Sequence, residues 1–187
     1  MRTIIVALLL FPAIAFSQYS ARVSYSQGAP TYRWINSSES VDLSVMYATS
    51  QQLKIGLNIA WQYMALNTDG NQAIMTPLTL SARYYTSESG LRGYFEGQAG
   101  IVRRYFQTFI YLSPNASNYV AWNSTIHYAP QYGLGMGVSI PVIPDLELNL
   151  GLQIDVSPKG MEHSNIERSP IDGFSQTRAL IAIDYNL

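Results

Sequence analysis

The sequence predicts an all-β fold, an eight-stranded antiparallel up-and-down transmembrane β-barrel, and three observations carry that expectation. Apolar and polar residues alternate with a period of two along eight segments, as they do when successive side chains point to opposite faces of a strand. The links between those segments alternate between short and long. Charged residues make up only 12% of the 187 residues, against about 25% in ordinary soluble domains.

The first 17 residues read as a secretory leader. Arg2 supplies the positive start, Ile4 to Ala15 the apolar region, and Ala15 and Ser17 the small residues that a signal peptidase reads, so cleavage is expected before Gln18. The stretch is short of the roughly 20 apolar residues a spanning helix needs, and Pro12 interrupts it. Residues 18–187 then form one barrel domain. There is no cysteine, which excludes a lipid-anchored cysteine, disulfides and thiolate metal sites. The only lysines are Lys54 and Lys159, whereas 14 tyrosines are present; a water-washed surface would be covered with lysine and glutamate instead. A net charge of −1 gives no electrostatic footprint for nucleic acid.

The clearest strand is Asp145 to Val156, with Leu146, Leu148, Leu150, Leu152, Ile154 and Val156 on one face and Glu147, Asn149, Gly151, Gln153 and Asp155 on the other. A helix would scatter those leucines around its circumference. In chain order the other seven segments carry their apolar faces on Tyr19–Tyr25, Val41–Tyr47, Leu53–Tyr63, Ile74–Tyr84, Phe95–Ile101, Tyr132–Ile140 and Ala179–Leu187. Short links follow strands two, four and six, at 50–52, 87–90 and 142–144. Longer ones follow strands one, three, five and seven, near 28–38, 67–73, 107–129 and 157–173. Short turns at one end and long loops at the other are the habit of outer-membrane barrels, whose turns are periplasmic.

Alternation alone does not say whether the apolar face looks into a core or into lipid. Three features point it outward, one of them a C-terminal strand that is apolar at every second position back from Leu187. The polar faces are rich in glycine, serine and asparagine, which suits a narrow interior. Aromatics also cluster at the ends of the apolar face: Tyr19, Tyr47, Tyr84 and Tyr185 at one rim, Tyr25, Trp61, Tyr63 and Tyr132 at the other. Such girdles suit the membrane interfaces, where a tyrosine keeps its ring in hydrocarbon and its hydroxyl wet.

The stretch Thr76 to Tyr85 followed by Gly93 to Ile101, and the later pair Tyr132 to Pro141 with Leu146 to Asp155, resemble paired strands of the outer-membrane protein β-barrel domain family. These are small barrels of the OmpA, OmpX and OmpW kind; Phe16-Ser17-Gln18 is similar to the cleavage region of Bacteroidetes exports. The resemblance implies an outer-membrane location, outer-membrane lipid as surroundings and insertion by the barrel-assembly machinery. Leu187 stands where such barrels usually end in phenylalanine or tryptophan, and Tyr185 keeps an aromatic two residues earlier.

An eight-stranded barrel is only wide enough for its own side chains. The inward register gathers Arg22, Lys54, Arg83, Arg92, Arg104 and Arg178 with Asp42, Glu96, Glu147, Asp155 and Asp184. Unpaired buried charges are costly, so these residues are expected to form an ion-pair network that closes the lumen, with Gly133, Gly135 and Gly137 leaving room for the arginines. The 107–129 connection holds Phe109, Tyr111, Tyr119, Trp122 and Tyr128, a candidate partner-binding loop for an extracellular or envelope protein, on strands that could continue beyond the membrane as a hairpin. Catalytic signals are weak: His127 near Ser124 has no oxyanion donor, and His163 beside Glu162 and Glu167 reads as a solvated loop histidine. The expected function is therefore that of a non-enzymatic envelope-structural or surface-interaction barrel, without cofactor or metal. The alternative is a narrow channel or transporter for small or hydrophobic solutes.

Overall fold

The structure, a computed structural model, describes residues 18–30, 35–66, 72–111, 120–158 and 173–187, and within them the side chains except at 35–36, 66, 72, 107–111 and 120–125. The leader, Tyr119 and His163 lie outside the described residues. Eight strands follow one another: β1 Tyr19–Pro30, β2 Ile35–Ala48, β3 Leu53–Leu66, β4 Gln72–Tyr85, β5 Arg92–Tyr111, β6 Val120–Ile143, β7 Leu146–Ser157 and β8 Phe174–Asn186. Each pairs antiparallel with the next, and β1 pairs with β8, closing the sheet into a barrel without an edge. No helix among the described residues is long and apolar enough to cross a membrane. Closure is what lets strands cross instead, because every backbone group inside the ring finds a partner.

Register follows the sequence pattern strand by strand. Along β7 the leucines and isoleucine lie outside while Glu147, Asn149, Gln153 and Asp155 are buried in the lumen. Along β3, Ile55, Leu57, Trp61 and Tyr63 are exposed while Lys54, Asn58 and Gln62 are buried. The outer wall is thus a belt of bare aliphatic and aromatic side chains, while serines, asparagines, arginines and aspartates are buried inside together with a few methionines and tyrosines. That is a water-soluble protein turned inside out, and it fits hydrocarbon on the outside. The seven tyrosines and one tryptophan of the two girdles all face outward, and at the turn end the Tyr19 and Tyr47 rings meet with centroids 5.2 Å apart.

The strands run further than the alternation indicated at the end opposite the turns. β5 and β6 have 20 and 24 residues, and their ladder continues through Phe109↔Trp122 to Tyr111↔Val120. Most of the connection read as loop is therefore strand, and only 112–119 lies between the two. The physical reason is plain in the inward positions nearby. Met64, Ala73, Met75, Val102, Phe106, Ala129 and Phe174 all point into the lumen and pack as one apolar cluster. Where both faces of a strand are apolar, the period-two contrast disappears from the sequence.

Candidate functional site

Among the described residues, ionisable groups concentrate in the lumen, and its wall strands fix their heights by register. Arg22 on β1 opposes Asp184 on β8, and Arg83 on β4 opposes Glu96 on β5. Arg22 grips Asp184 with two donors, Nε to Oδ1 at 2.5 Å and Nη2 to Oδ2 at 3.1 Å, and its Nη1 reaches Glu96 Oε2 at 3.1 Å. Arg83 donates to the same Glu96 oxygen through Nε at 2.7 Å and through Nη2, and its Nη1 stands 3.5 Å from Asp184. Two arginines and two carboxylates thus form a charge-balanced quartet across the middle of the barrel. Bidentate arginine–carboxylate geometry of this kind holds both planes in fixed orientation.

Two satellite groups flank the quartet. Arg178 lies 2.6 Å from Asp155 and 3.4 Å from Asp42, and these aspartates also accept from Gln176, Gln153, Ser24 and Ser40. Nearer the turns, Arg92 pairs with Glu147 at 2.5 Å, and Ser139 donates to the other Glu147 oxygen. Nine of the eleven residues expected in the network are joined by these ion pairs. The other two are placed differently. The Lys54 ammonium makes no ion pair among the described residues; it donates to Ser20 and Asn186 and sits 5.7 Å from the Tyr85 ring centre. Arg104 lies a tier above, where its Nη2 donates to the Ser157 hydroxyl and to the carbonyls of Ser157 and Pro158. Its register position beside the apolar cluster removes it from the described carboxylates.

The glycines do not make room for the arginines, as the sequence had suggested. A Cβ at Gly137 would stand 2.7 Å from Tyr94 Cζ, and one at Gly151 would stand 2.3 Å from the Tyr94 hydroxyl. Gly137 and Gly151 vacate the space taken by an inward tyrosine, whereas Gly133 faces Asp155 and Gln153, and Gly135 faces Gln153 and the Leu152 carbonyl. Tyr94 in turn carries the Arg83 guanidinium 4.0 Å over its ring centre, and Arg92 stands 3.8 Å over that of Tyr85. Stacking of arginine on a buried ring is favourable by roughly 0.5–2 kcal/mol. Tyr94 escaped the sequence reading because it looks like one more interface aromatic; only its even-numbered parity with Arg92 and Glu96 marks it as inward.

Together these groups fill the barrel. The space left within the quartet, lined by Arg22, Asp42, Asn58, Arg83 and Glu96 among others, is about 10 Å³, room for about one water. Above it the inward side chains of the apolar cluster pack against one another. Below it the lumen widens into a polar vestibule of about 470 Å³ at the turn end, lined by Lys54, Glu88, Arg92 and Glu147 among others. His127 is half-buried and packs on Phe106 at 6.0 Å between ring centres. The Ser124 side chain lies outside those described. No group of three or more potential metal ligands exists among the described residues.

No protein family and no curated protein sequence matches the chain. Solved structures do match its fold. Neisserial surface protein A aligns with a TM-score of 0.58 and 13% identity over 90% of this chain and 96% of that one. The outer membrane enzyme PagL aligns at 0.56 and 11% identity over 86% and 97%. Ail, the attachment invasion locus protein of Yersinia pestis, aligns at 0.54 and 14% identity over 89% and 97%. The chain has the fold of the small eight-stranded outer-membrane β-barrels. At these identities the likeness concerns the fold alone, and a fold shared by a surface protein, an attachment protein and an enzyme does not choose among those roles.

Proposed function

We propose that this chain is a closed, non-enzymatic integral outer-membrane barrel that holds a β-hairpin above the membrane for docking to another protein. The observation that carries this reading is the open edge of β6. Pairing with β7 ends at Tyr132↔Val156, and pairing of β4 with β5 ends at Gln72↔Gln107. Ser157 of β7 still donates to the Pro130 carbonyl at 2.6 Å; from Val120 to Ala129, β6 forms a ladder with no described residues other than those of β5. An open strand edge is a template for strand addition, and proteins that avoid this place charges or prolines along it. Here no Asp, Glu, Lys or Arg occurs between Arg104 and Asp145, and within 120–129 there is no proline.

With short turns on the periplasmic side, the hairpin faces outward from the cell. A second copy in the same membrane does not complete the edge well, since both β6 strands would descend in parallel; an extended segment of a different protein can approach antiparallel, the better-bonded arrangement. The test places a photo-crosslinking residue at Trp122 or Tyr128 in intact cells. Crosslinks to one discrete partner support the reading; none at these positions, with abundant crosslinks at the 86–91 turn, overturns it. Protease shaving of whole cells checks orientation: cleavage is expected within 108–123 and not at 86–91.

A second reading, a lateral route for hydrophobic solutes, is favoured by one observation. The β3–β4 ladder pairs Ile59 with Leu78 and Gln62 with Met75, but the intervening residues around Pro77 are unpaired. Proline has no N–H to give to the ladder, and this gap lies beside the apolar cluster, where Met75 is fully buried. Uptake of an apolar dye by vesicle-reconstituted protein, abolished by Pro77→Val, would favour it over docking.

A further inference from the structure

The outer wall is not uniformly convex. An apolar furrow of about 950 Å³ crosses it obliquely from Tyr19 and Tyr47 at the turn end, past Ile55 and Leu80, to Tyr132 and Leu134, floored by Ala82, Gly97 and Ala99. A second hollow of about 560 Å³ shares Ala82, Gly97 and Leu134 and is walled by Phe95 and Met136. These volumes are those of ligand pockets rather than of ordinary surface roughness. The floor is not required by the chain's own packing, since a Cβ added at Gly97 would meet nothing within 4 Å. A glycine inside a strand is unfavourable unless something approaches it closely.

The same strand carries a cation beyond the furrow. On β5 the outward positions run Phe95, Gly97, Ala99, Ile101, Arg103, so Arg103 stands about 13 Å up the strand from Ala99 at the usual rise per residue. It is exposed, its cross-strand neighbours are Thr76 and Tyr128, and it has no hydrogen bond or ion pair among the described residues. With strands tilted about 40°, each residue climbs about 2.5 Å, which puts Arg103 about 28 Å above Arg92. The apolar band of such barrels is about 25 Å tall. Arg103 therefore reaches the outer headgroup level, where an arginine is tolerated and where phosphate is the complementary charge.

We propose that the furrow and Arg103 together form a binding site for a phosphorylated, multiply acylated glycolipid of the outer leaflet, with acyl chains lying over Gly97 and Ala99 and a phosphate taken by the Arg103 guanidinium. The inference rests on the membrane orientation given above but not on the docking role of the hairpin. Apolar chains fill a groove that the barrel leaves open, and guanidinium matches phosphate with two parallel donors. An outer-leaflet phospholipid offers a phosphate but fewer chains, so the breadth of the furrow from β2 to β6 favours the glycolipid.

The test is native mass spectrometry of full-length protein released from detergent after incubation with one of four probes: bis-phosphorylated lipid A, dephosphorylated lipid A, phosphatidylglycerol or inorganic phosphate. Wild-type protein is expected to retain bis-phosphorylated lipid A at collision energies that strip phosphatidylglycerol. Arg103→Gln should lower that retention at least 10-fold, to the level of the dephosphorylated lipid. Gly97→Leu should weaken both lipid A forms alike by filling the floor; Ala99→Met serves the same purpose if Gly97→Leu does not fold, as judged by heat-modifiable gel mobility. Equal retention of phosphatidylglycerol and lipid A, unchanged binding in Arg103→Gln, or an equal response to inorganic phosphate alone would each overturn the proposal.

Discussion

Glu96 is the residue on which the central quartet turns, and its removal gives a measurable account of how the lumen is held. The carboxylate accepts from Arg22 Nη1, from Arg83 Nε and Nη2, and from Gln98 at 2.9 Å, all inside a barrel where Arg83 is fully buried. Glu96→Ala leaves the quartet with two arginines facing one carboxylate. Breaking a buried pair by deleting one partner costs about 3–5 kcal/mol, because the surviving charge has lost its water without regaining a counter-charge. Against the 5–15 kcal/mol typical of a folded domain, that is a large fraction. Urea unfolding in lipid vesicles, followed by far-ultraviolet circular dichroism, should show the loss. Arg83→Met in the Glu96→Ala background should recover part of it, with a coupling energy above about 1 kcal/mol, since contacting residues in one network are not additive. A Glu96→Ala cost below about 1 kcal/mol, or strict additivity with Arg83→Met, would refute the view that the quartet is a paired, water-poor unit.

The remaining predictions concern single positions. Gly151→Ala should destabilise by about 1–3 kcal/mol, because its Cβ would stand 2.3 Å from the Tyr94 hydroxyl and 2.8 Å from the Met136 carbonyl. Gly97→Ala, the same change on the same kind of backbone, should stabilise by about 0.4–1 kcal/mol, as nothing opposes it; the same unfolding assay compares them, and equal signs would contradict the packing described. Tyr94→Phe should be neutral or slightly stabilising, since the buried hydroxyl has no partner, while Tyr94→Leu loses the stacked arginine and about 1–2 kcal/mol. In planar bilayers the wild-type protein should give no discrete openings, and steady ohmic steps would contradict a lumen with space for about one water.

How much of this was legible beforehand differs between wall and lumen. Strand count, parity and outward direction followed from the sequence because a barrel wall between two unlike media imposes a strict two-residue period; each of Leu146 to Val156 is placed by its neighbours alone. The set of inward charges followed from the same parity. Which of them pair did not, because pairing partners sit on strands far apart in the chain, as Arg22 and Glu96 do. Lys54 was grouped with the ion pairs by sign, and only its height in the barrel gave it Ser20 and Asn186 as partners.

The outer ends of the strands were hidden for a different reason. Met64, Met75 and Phe106 are inward and apolar opposite outward apolar neighbours, so composition there carries no alternation to read. Likewise, whether a glycine serves a ring inside, as Gly137 does for Tyr94, or leaves a hollow outside, as Gly97 does, depends on which face it occupies and what stands across from it. The sequence by itself determined the medium on each side of the wall, since that is a one-dimensional pattern of polarity. The arginine–carboxylate quartet, the stacked tyrosines, the long β5–β6 ladder and the furrow below Arg103 were decided only by tertiary structure, because each depends on shear and closure bringing distant strands to one height.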